Sequence, residues 1–284
     1  MPNNLKPGQY QIEDWIFGKG TVYPVAAFDI AEYGVQAGDF QVPNQDENRF
    51  GGSDQHIPGP ITMTVQFLQN RWTHKVIHGT VLKSADAGKV QRIWRADGVR
   101  YTWGETQKLY YAGNDGIQKV LFGRTDKFKY PRFNEETDAY ECTLSFRRGD
   151  NFSYSAHEYG IAFLPNQASQ LLTNGTFGDA PSWMTLYLQG PMNDPQIEIA
   201  GFTFELDWDI PAGKVLEINS YPWTRRCVDS DGISRRANII GATPYLDRLR
   251  FNYNQPVYGR VICNGTNANS EAVFMFRDAY QVIA

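Results

Sequence analysis

Through much of the second half of the chain, apolar and polar residues alternate strictly: QIEI from Gln196, FTFELDWDI from Phe202, KVLEINSY from Lys214 and FRDAYQV from Phe276. Successive side chains of a strand point to opposite faces, so this pattern predicts half-buried antiparallel strands. Pro, Gly and Asn-Asp pairs cut the run into short strands and turns. In FTFELDWDI, Phe202, Phe204, Leu206, Trp208 and Ile210 share one face, and Thr203, Glu205, Asp207 and Asp209 share the other. A stripe of large apolar side chains does not stay exposed on a soluble protein. It predicts a facing sheet, for which Ile197, Ile199, Leu216, Ile218, Phe274 and Phe276 are the partners by the same alternation. Roughly seven or eight such strands in about a hundred residues predict an antiparallel β-sandwich.

The first half is organised differently. Tyr10 to Phe17 (YQIEDWIF) and the stretch from Val22 to Phe28 read as strands, as does ITMTVQF from Ile61 to Phe67. Between them, Gln36 to Pro60 is polar and rich in Gly, Asp and Asn. It reads as a long loop, and long loops in compact domains tend to be functional. Its most specific members, Phe50, Gly51, Gly52 and Asp54, are candidate assembly contacts, because a polar loop on a β scaffold is free to order on a partner. One helix is expected: Ser84 as N-cap, Ala87, Val90, Ile93 and Trp94 at helical spacing, and Asp97-Gly98 as the stop. KLYYAG and IQKVLFG flank Asn-Asp-Gly as a hairpin. KFKYPRF and DAYECTLSFRR read as further strands. A single helix on a sheet suits an α+β domain. From Ser153 to Trp183, Pro, Gly and Asn accumulate as in a connector. The expected organisation is residues 1–160 as one domain, 161–182 as a linker and 183–284 as the sandwich.

Composition narrows the classes. Aromatic residues make up 14% of 284 positions and the formal charge is −4, so the chain has material for a core and no overall basic balance. Lys119, Arg124, Lys127, Lys129 and Arg132 are interleaved with acids and read as a solvated sheet face rather than a nucleic-acid surface. The polar N-terminus lacks a signal-peptide core, and no apolar run is long enough to span a bilayer, so synthesis and folding in a cytoplasm are expected. The three cysteines, Cys142, Cys227 and Cys263, are widely spaced and read as reduced thiols, with a Cys227–Cys263 bridge left open.

Four constellations invite a chemical reading. Glu205, Asp207 and Asp209 are spaced about 7 Å apart along one strand face, a separation a glycosidase pair uses. Such a pair needs one carboxyl in a desolvated pocket, so the strip reads instead as a partner-facing surface. His74 and His78 are four apart, but Lys75 stands where a zincin needs Glu. Asp229-Ser230-Asp231-Gly232 resembles the start of a calcium loop but lacks its later ligands, and reads as a hairpin turn. Trp183, Trp208 and Trp223 are candidates for stacking on sugars; Trp223, beside Pro222, is the one expected nearest the surface. No nucleophile elbow, phosphate loop or dinucleotide fingerprint occurs, so no cofactor and no metal are expected.

Several short pieces recur in a particular order. IEDWIFG ends a first aromatic strand; Phe50-Gly51 and Gly59-Pro60 precede a strand; Gly123-Arg124-Thr125-Asp126 stands where a Gly-Arg-Pro-Arg-like turn is expected, without its proline and second arginine. Asn174-Gly175, Ala180-Pro181, Gly190-Pro191, Asn193-Asp194-Pro195, Tyr221-Pro222-Trp223-Thr224, Asp231-Gly232 and Arg277-Asp278-Ala279-Tyr280 follow. In this order they resemble the distal tail (Dit-like) minor tail proteins of long-tailed bacteriophages, especially those infecting actinobacteria. The resemblance implies a structural protein with no catalytic residue, placed at the virion tail tip. It implies an N-terminal belt domain that closes into a hexameric ring and a C-terminal galectin-like sandwich. It also implies the tail tube protein, the tail-tip hub protein and the tape measure protein as partners. Two other classes stay open on the residues alone. A carbohydrate-binding module or cell-wall adhesion protein would expose an aromatic platform, and a glycoside hydrolase would show a deep acidic cleft.

Overall fold

The computed structural model describes residues 4–31, 34–36, 40–41, 48–49, 55–67, 84–137, 139–241, 246 and 249–281. The chain divides into two compact units, Met1–Asn151 and Phe152–Ile283. The boundary therefore precedes the expected linker, and residues 161–182 belong to the second unit.

The strands of the first unit are β1 (Gln9–Ile12), β2 (Trp15–Gly18), β3 (Val25–Ile30), β4 (Gly34–Gln36), β5 (Phe40–Gln41), β6 (Asn48–Arg49), β7 (Gln55–Ile57) and β8 (Ile61–Phe67). Helices α1 (Ser84–Arg95) and α2 (Asp97–Arg100) come next, then β9 (Gln107–Ala112), β10 (Gln118–Asn134) and β11 (Ala139–Arg148). Seven of these strands form one antiparallel sheet in the order β2-β1-β9-β10-β11-β8-β3. YQIEDWIF is a hairpin rather than one strand: Ile12 pairs with Trp15, and Glu13 takes φ 53° in the turn between them. The signal was the three-residue step from Ile12 to Trp15, which breaks the two-residue period of a strand. Ile12, Trp15 and Phe17 are all buried.

The polar stretch from Gln36 to Pro60 is not a plain loop. β4 pairs with β7 and β5 pairs with β6, two separate antiparallel ladders in the chain between β3 and β8. Short polar strands without apolar alternation leave no periodic signal, which is why the sequence reads as loop. Phe50, Gly51, Gly52 and Asp54 lie outside the described residues, as do His74 and His78.

Helix α1 buries Ala87, Val90, Ile93 and Trp94 and packs on β10. Its last turn leaves carbonyls that no helical amide can reach. Gln107 Nε2 donates to Ile93 O (3.0 Å), Thr125 Oγ1 to Trp94 O (2.7 Å) and Arg100 Nε to Arg95 O (2.6 Å). Ala96, at φ 48°, stops the helix, and Asp97-Gly98 opens the short α2 instead of serving as the stop. The expected β9–β10 hairpin is present: Ala112 pairs with Gln118, and Asp115 Oδ1 accepts the Ile117 amide (2.9 Å). Gly123-Arg124-Thr125-Asp126 is not a turn. It lies inside the single strand β10, whose pairing with β11 shifts register between Thr125 and Phe128. Glycine is required at 123, because a Cβ there would stand 2.1 Å from Arg147 O.

The second unit contains β12 (Ser153–Ser155), β13 (Tyr159–Phe163), β14 (Gln170–Thr173), β15 (Ser182–Gln189), β16 (Asn193–Ile199), β17 (Phe202–Leu206) and β18 (Val215–Asn219). It continues with β19 (Arg226–Asp229), β20 (Ile239–Ile240), β21 (Arg250–Phe251), β22 (Val257–Asn264), β23 (Glu271–Phe276) and β24 (Ala279–Tyr280). Two antiparallel sheets, β13-β23-β15-β18-β19 with β21 on β15, and β14-β22-β16-β17-β20, pack as a sandwich. The register is the expected one. Phe204, Leu206 and Ile210 are buried with Ile197, Ile199, Leu216, Ile218, Phe274 and Phe276 in one core, with Phe202 and Trp208 packed partly buried against it. The stretch expected as a linker supplies β13, paired along β23, and β14, paired along β22. Its Pro, Asn and Gly fill the turns between these strands, so turn composition was read as linker composition.

Candidate functional site

The acidic strip is exposed but not continuous. Glu205 is on β17, whereas Asp207 and Asp209 follow its end. Glu205 Oε1 lies 3.4 Å from Gln196 Nε2 on the neighbouring strand. Asp207 is held through its backbone, by the Asn238 amide side chain (2.8 Å) and its own amide on Asn238 O (2.8 Å). Asp209 Oδ1 accepts the amide of Asp194 (3.0 Å), a residue at φ 48°. The carboxylates of Glu205 and Asp209 are thus engaged by a neighbouring side chain and a backbone amide, and Asp207 is fixed through its backbone.

Asp229-Ser230-Asp231-Gly232 forms a hairpin turn with the acid turned inward on itself. Buried Asp229 accepts through Oδ1 from the amides of Asp231 (3.0 Å) and Ile233 (2.9 Å), and through Oδ2 from Arg235 Nε (2.9 Å). Burial alone would raise its pKa; the Ile233 amide, the Arg235 side chain and the Asp231 amide outweigh it and hold the carboxyl below the usual range. Its lone pairs are spent inside the turn rather than offered to a cation. Arg235 also covers the Trp208 ring, with its guanidinium carbon 4.2 Å from the centroid. Among the described residues, no three His, Cys, Asp or Glu side chains converge as metal ligands.

Trp223 is half-buried. Its ring meets Tyr154 edge-on (5.7 Å) and Tyr221 at a tilt (5.2 Å). Trp183 is buried. None of the three tryptophans singled out from the sequence is an open platform. Among the described residues, the most exposed aromatic side chains lie elsewhere, at Tyr101, Trp103 and Phe177. They escaped the sequence reading because single aromatics in turns carry no period.

The closing Arg277-Asp278-Ala279-Tyr280 is a clasp. Arg277 donates to Ser155 O (3.1 Å) and Ala156 O (2.7 Å), and β24 pairs with β12, so the last strand of the second unit is tied to its first. Buried Asp278 accepts the Phe177 amide (3.1 Å); burial pushes its carboxyl above the usual range, against that amide, the Tyr159 hydroxyl and His157. Gly178 approaches so closely that a Cβ would stand 1.9 Å from Ala279 O. The three cysteines are free and buried, and burial pushes Cys142 and Cys227 up to about 12. The basic stretch is divided: Lys119 is buried and paired with Asp115 (3.0 Å), Arg124 holds backbone carbonyls, and Lys127, Lys129 and Arg132 face solvent. No helix among the described residues is long and apolar enough to cross a membrane.

No family model matches the chain, and no curated protein matches it in sequence. Solved structures do. The crystal structure of SPP1 Dit, described as a paradigm of the hub adsorption apparatus in phages infecting Gram-positive bacteria, is 9% identical with a TM-score of 0.56, over 95% of this chain and 98% of that one. A chain of the phage P2 baseplate in its activated conformation with Ca is 7% identical with a TM-score of 0.53, over 97% of this chain and 99% of that one. At such identities the likeness is one of fold, and it spans nearly the whole of this chain.

Proposed function

We propose that this chain is a structural protein of a bacteriophage tail, a distal-tail hub subunit joining the end of the tail tube to the tail-tip complex. The observation that carries this reading is the likeness of fold to SPP1 Dit over nearly the whole of both chains. A likeness over the whole length of both chains is a stronger basis than one over a single domain, since superfolds recur without shared function. The motif order that resembles the Dit-like family supports the same reading from the sequence.

In this reading, residues 1–151 form the belt domain and close with copies of themselves into a six-fold ring, while residues 152–283 form a peripheral galectin-like sandwich. The tail tube, the tail-tip hub protein and the tape measure protein are the neighbours, and the location is the virion tail. Function resides in surfaces, and no catalytic residue is assigned. Glu205, Asp207 and Asp209 are carried as a partner-facing strip, and Phe50, Gly51, Gly52 and Asp54 as assembly contacts. Electron microscopy of tails assembled with this chain tests the reading. A six-fold layer at the tube end, into which both units fit, is the expected result; a layer of other symmetry, or tails that lack the chain, overturns it.

A further inference from the structure

Two of the most exposed large apolar side chains of the first unit, Tyr101 (87% exposed) and Trp103 (73% exposed), stand together on the turn between α2 and β9. That turn is held from beneath. Arg124 on β10 donates through Nε to Glu105 O (3.0 Å) and through its terminal nitrogen to Thr102 O (2.9 Å). Thr102 Oγ1 donates to Gly98 O (3.1 Å), and Arg100 anchors the start of the turn on Thr125 O (2.7 Å). A loop already ordered loses little entropy when its side chains are buried by a partner. Rigid aromatic side chains of this kind are the residues that dominate interface energies.

The same unit carries a concavity of the right character. Tyr10, Pro24, Val25, Ala26, Ala27 and Phe28 line an open pocket of about 450 Å³ where β1 approaches β3, with Lys19 at its rim. The Tyr10 and Phe28 rings stack at 5.0 Å within this lining. The turn and the pocket lie at opposite ends of β9. The turn runs straight into Gln107, whereas Gly8 beside the pocket donates its amide to Ala112 O at the other end. A protrusion and a recess at opposite ends of one strand do not meet each other within a chain, but they can meet between identical copies arranged head to tail. Such heterologous contacts generate a ring when the rotation from copy to copy closes, and an open filament when it does not. Charge agrees: exposed Glu105 follows Trp103 by two residues, and exposed Lys19 borders the recess.

We propose that Tyr101 and Trp103 of one copy seat in the Tyr10–Phe28 recess of the next copy, with Glu105 meeting Lys19, as an anchor contact of the ring. This rests on the ring reading above and names residues for its interface.

The test uses the full chain. Full-length Glu105→Cys and full-length Lys19→Cys are mixed under mild oxidation, which leaves the Trp103 anchor in place; the native thiols are buried, so they do not compete. A disulfide-linked heterodimer from the mixture, and a ladder ending in a closed ring from the double variant, are expected. Neither single variant alone should give a ladder. Trp103→Ala should weaken self-association about 30-fold, as expected for one anchor residue. Glu105→Lys should weaken it as well, with restoration when combined with Lys19→Glu. Rings that form by native mass while the mixed cross-link is absent and Trp103→Ala has no effect overturn the anchor contact and leave the ring reading standing. Monomers at every concentration, without cross-link, remove the anchor proposal; tail imaging then decides the ring separately. Intact rings of Trp103→Ala that no longer retain a tail-tip neighbour also overturn it, by assigning the aromatic turn to a different partner.

Discussion

Phe204 lies directly opposite Ile197 across the β16–β17 ladder, and both side chains are buried in the sandwich core. That pairing sets the register of the whole strand, since a shift by one residue would exchange its faces and turn Glu205 inward. Phe204→Ala should cost on the order of 3 kcal/mol through lost burial and the cavity left behind. Thr203→Ala should cost well under 1 kcal/mol. Urea melts of the two variants give the ranking, and the reverse order would place the acids on the inside.

The acids after β17 are expected to differ from one another. Asp209→Ala removes the acceptor of the Asp194 amide and should destabilise the second unit by about 1 kcal/mol, the ordinary value of one hydrogen bond. Asp209→Asn keeps an acceptor oxygen and should be close to neutral, as should Glu205→Gln. Equal effects of all three in a thermal melt would show that the Asp194 contact contributes nothing.

Asp229 should govern part of the acid sensitivity of the second unit. Its folded pKa is lowered, so its contribution is fully present above the unfolded value of about 3.9 and is lost as pH falls through the folded value. The melting temperature of the wild-type chain is expected to drop as pH falls below about 4. In Asp229→Asn that drop should be shallower, from a lower starting point at neutral pH. An unchanged pH profile in the variant would mean that the turn is not held by the charged form.

Cys142, Cys227 and Cys263 should resist alkylation in the native chain and react fully once it is denatured. Burial is the cause: with Cys142 and Cys227 pushed up to about 12, almost no thiolate exists at neutral pH. Mass spectrometry after iodoacetamide treatment reads the count directly, and a Cys227–Cys263 disulfide in the purified protein would contradict the free thiols.

Within residues 148–182, proteolysis should be confined to the segment around Gly149 to Phe152, ahead of β12. The stretch from 161 to 182, read from composition as a linker, carries β13 and β14 and should resist cleavage as long as the sandwich is folded. A first cut between Phe163 and Gln170 that leaves Trp183 onward folded would restore the linker reading.

Alternation by itself determined the sandwich: which face of FTFELDWDI goes inside, which residues meet it, and that the acids point out. It could do so because burial on one face of a strand imposes a period of two, and that period survives in the residue order. The helix over Ala87 to Trp94 and the Asp231-Gly232 turn were legible for the same reason, as each depends on neighbours within a few positions. Contacts distant in sequence decided the rest. Whether Pro- and Gly-rich residues 161–182 link two domains or turn between two strands depends on β22 and β23, a hundred residues away. Whether Gly123 bends the chain or lets β11 pass depends on Arg147 O. Tyr101 and Trp103 stand out only because Arg124, two strands' length further on, holds their turn; no local pattern records a side chain that reaches back across a sheet. The aromatic turn and its recess were therefore visible only once β9 had placed them at its two ends.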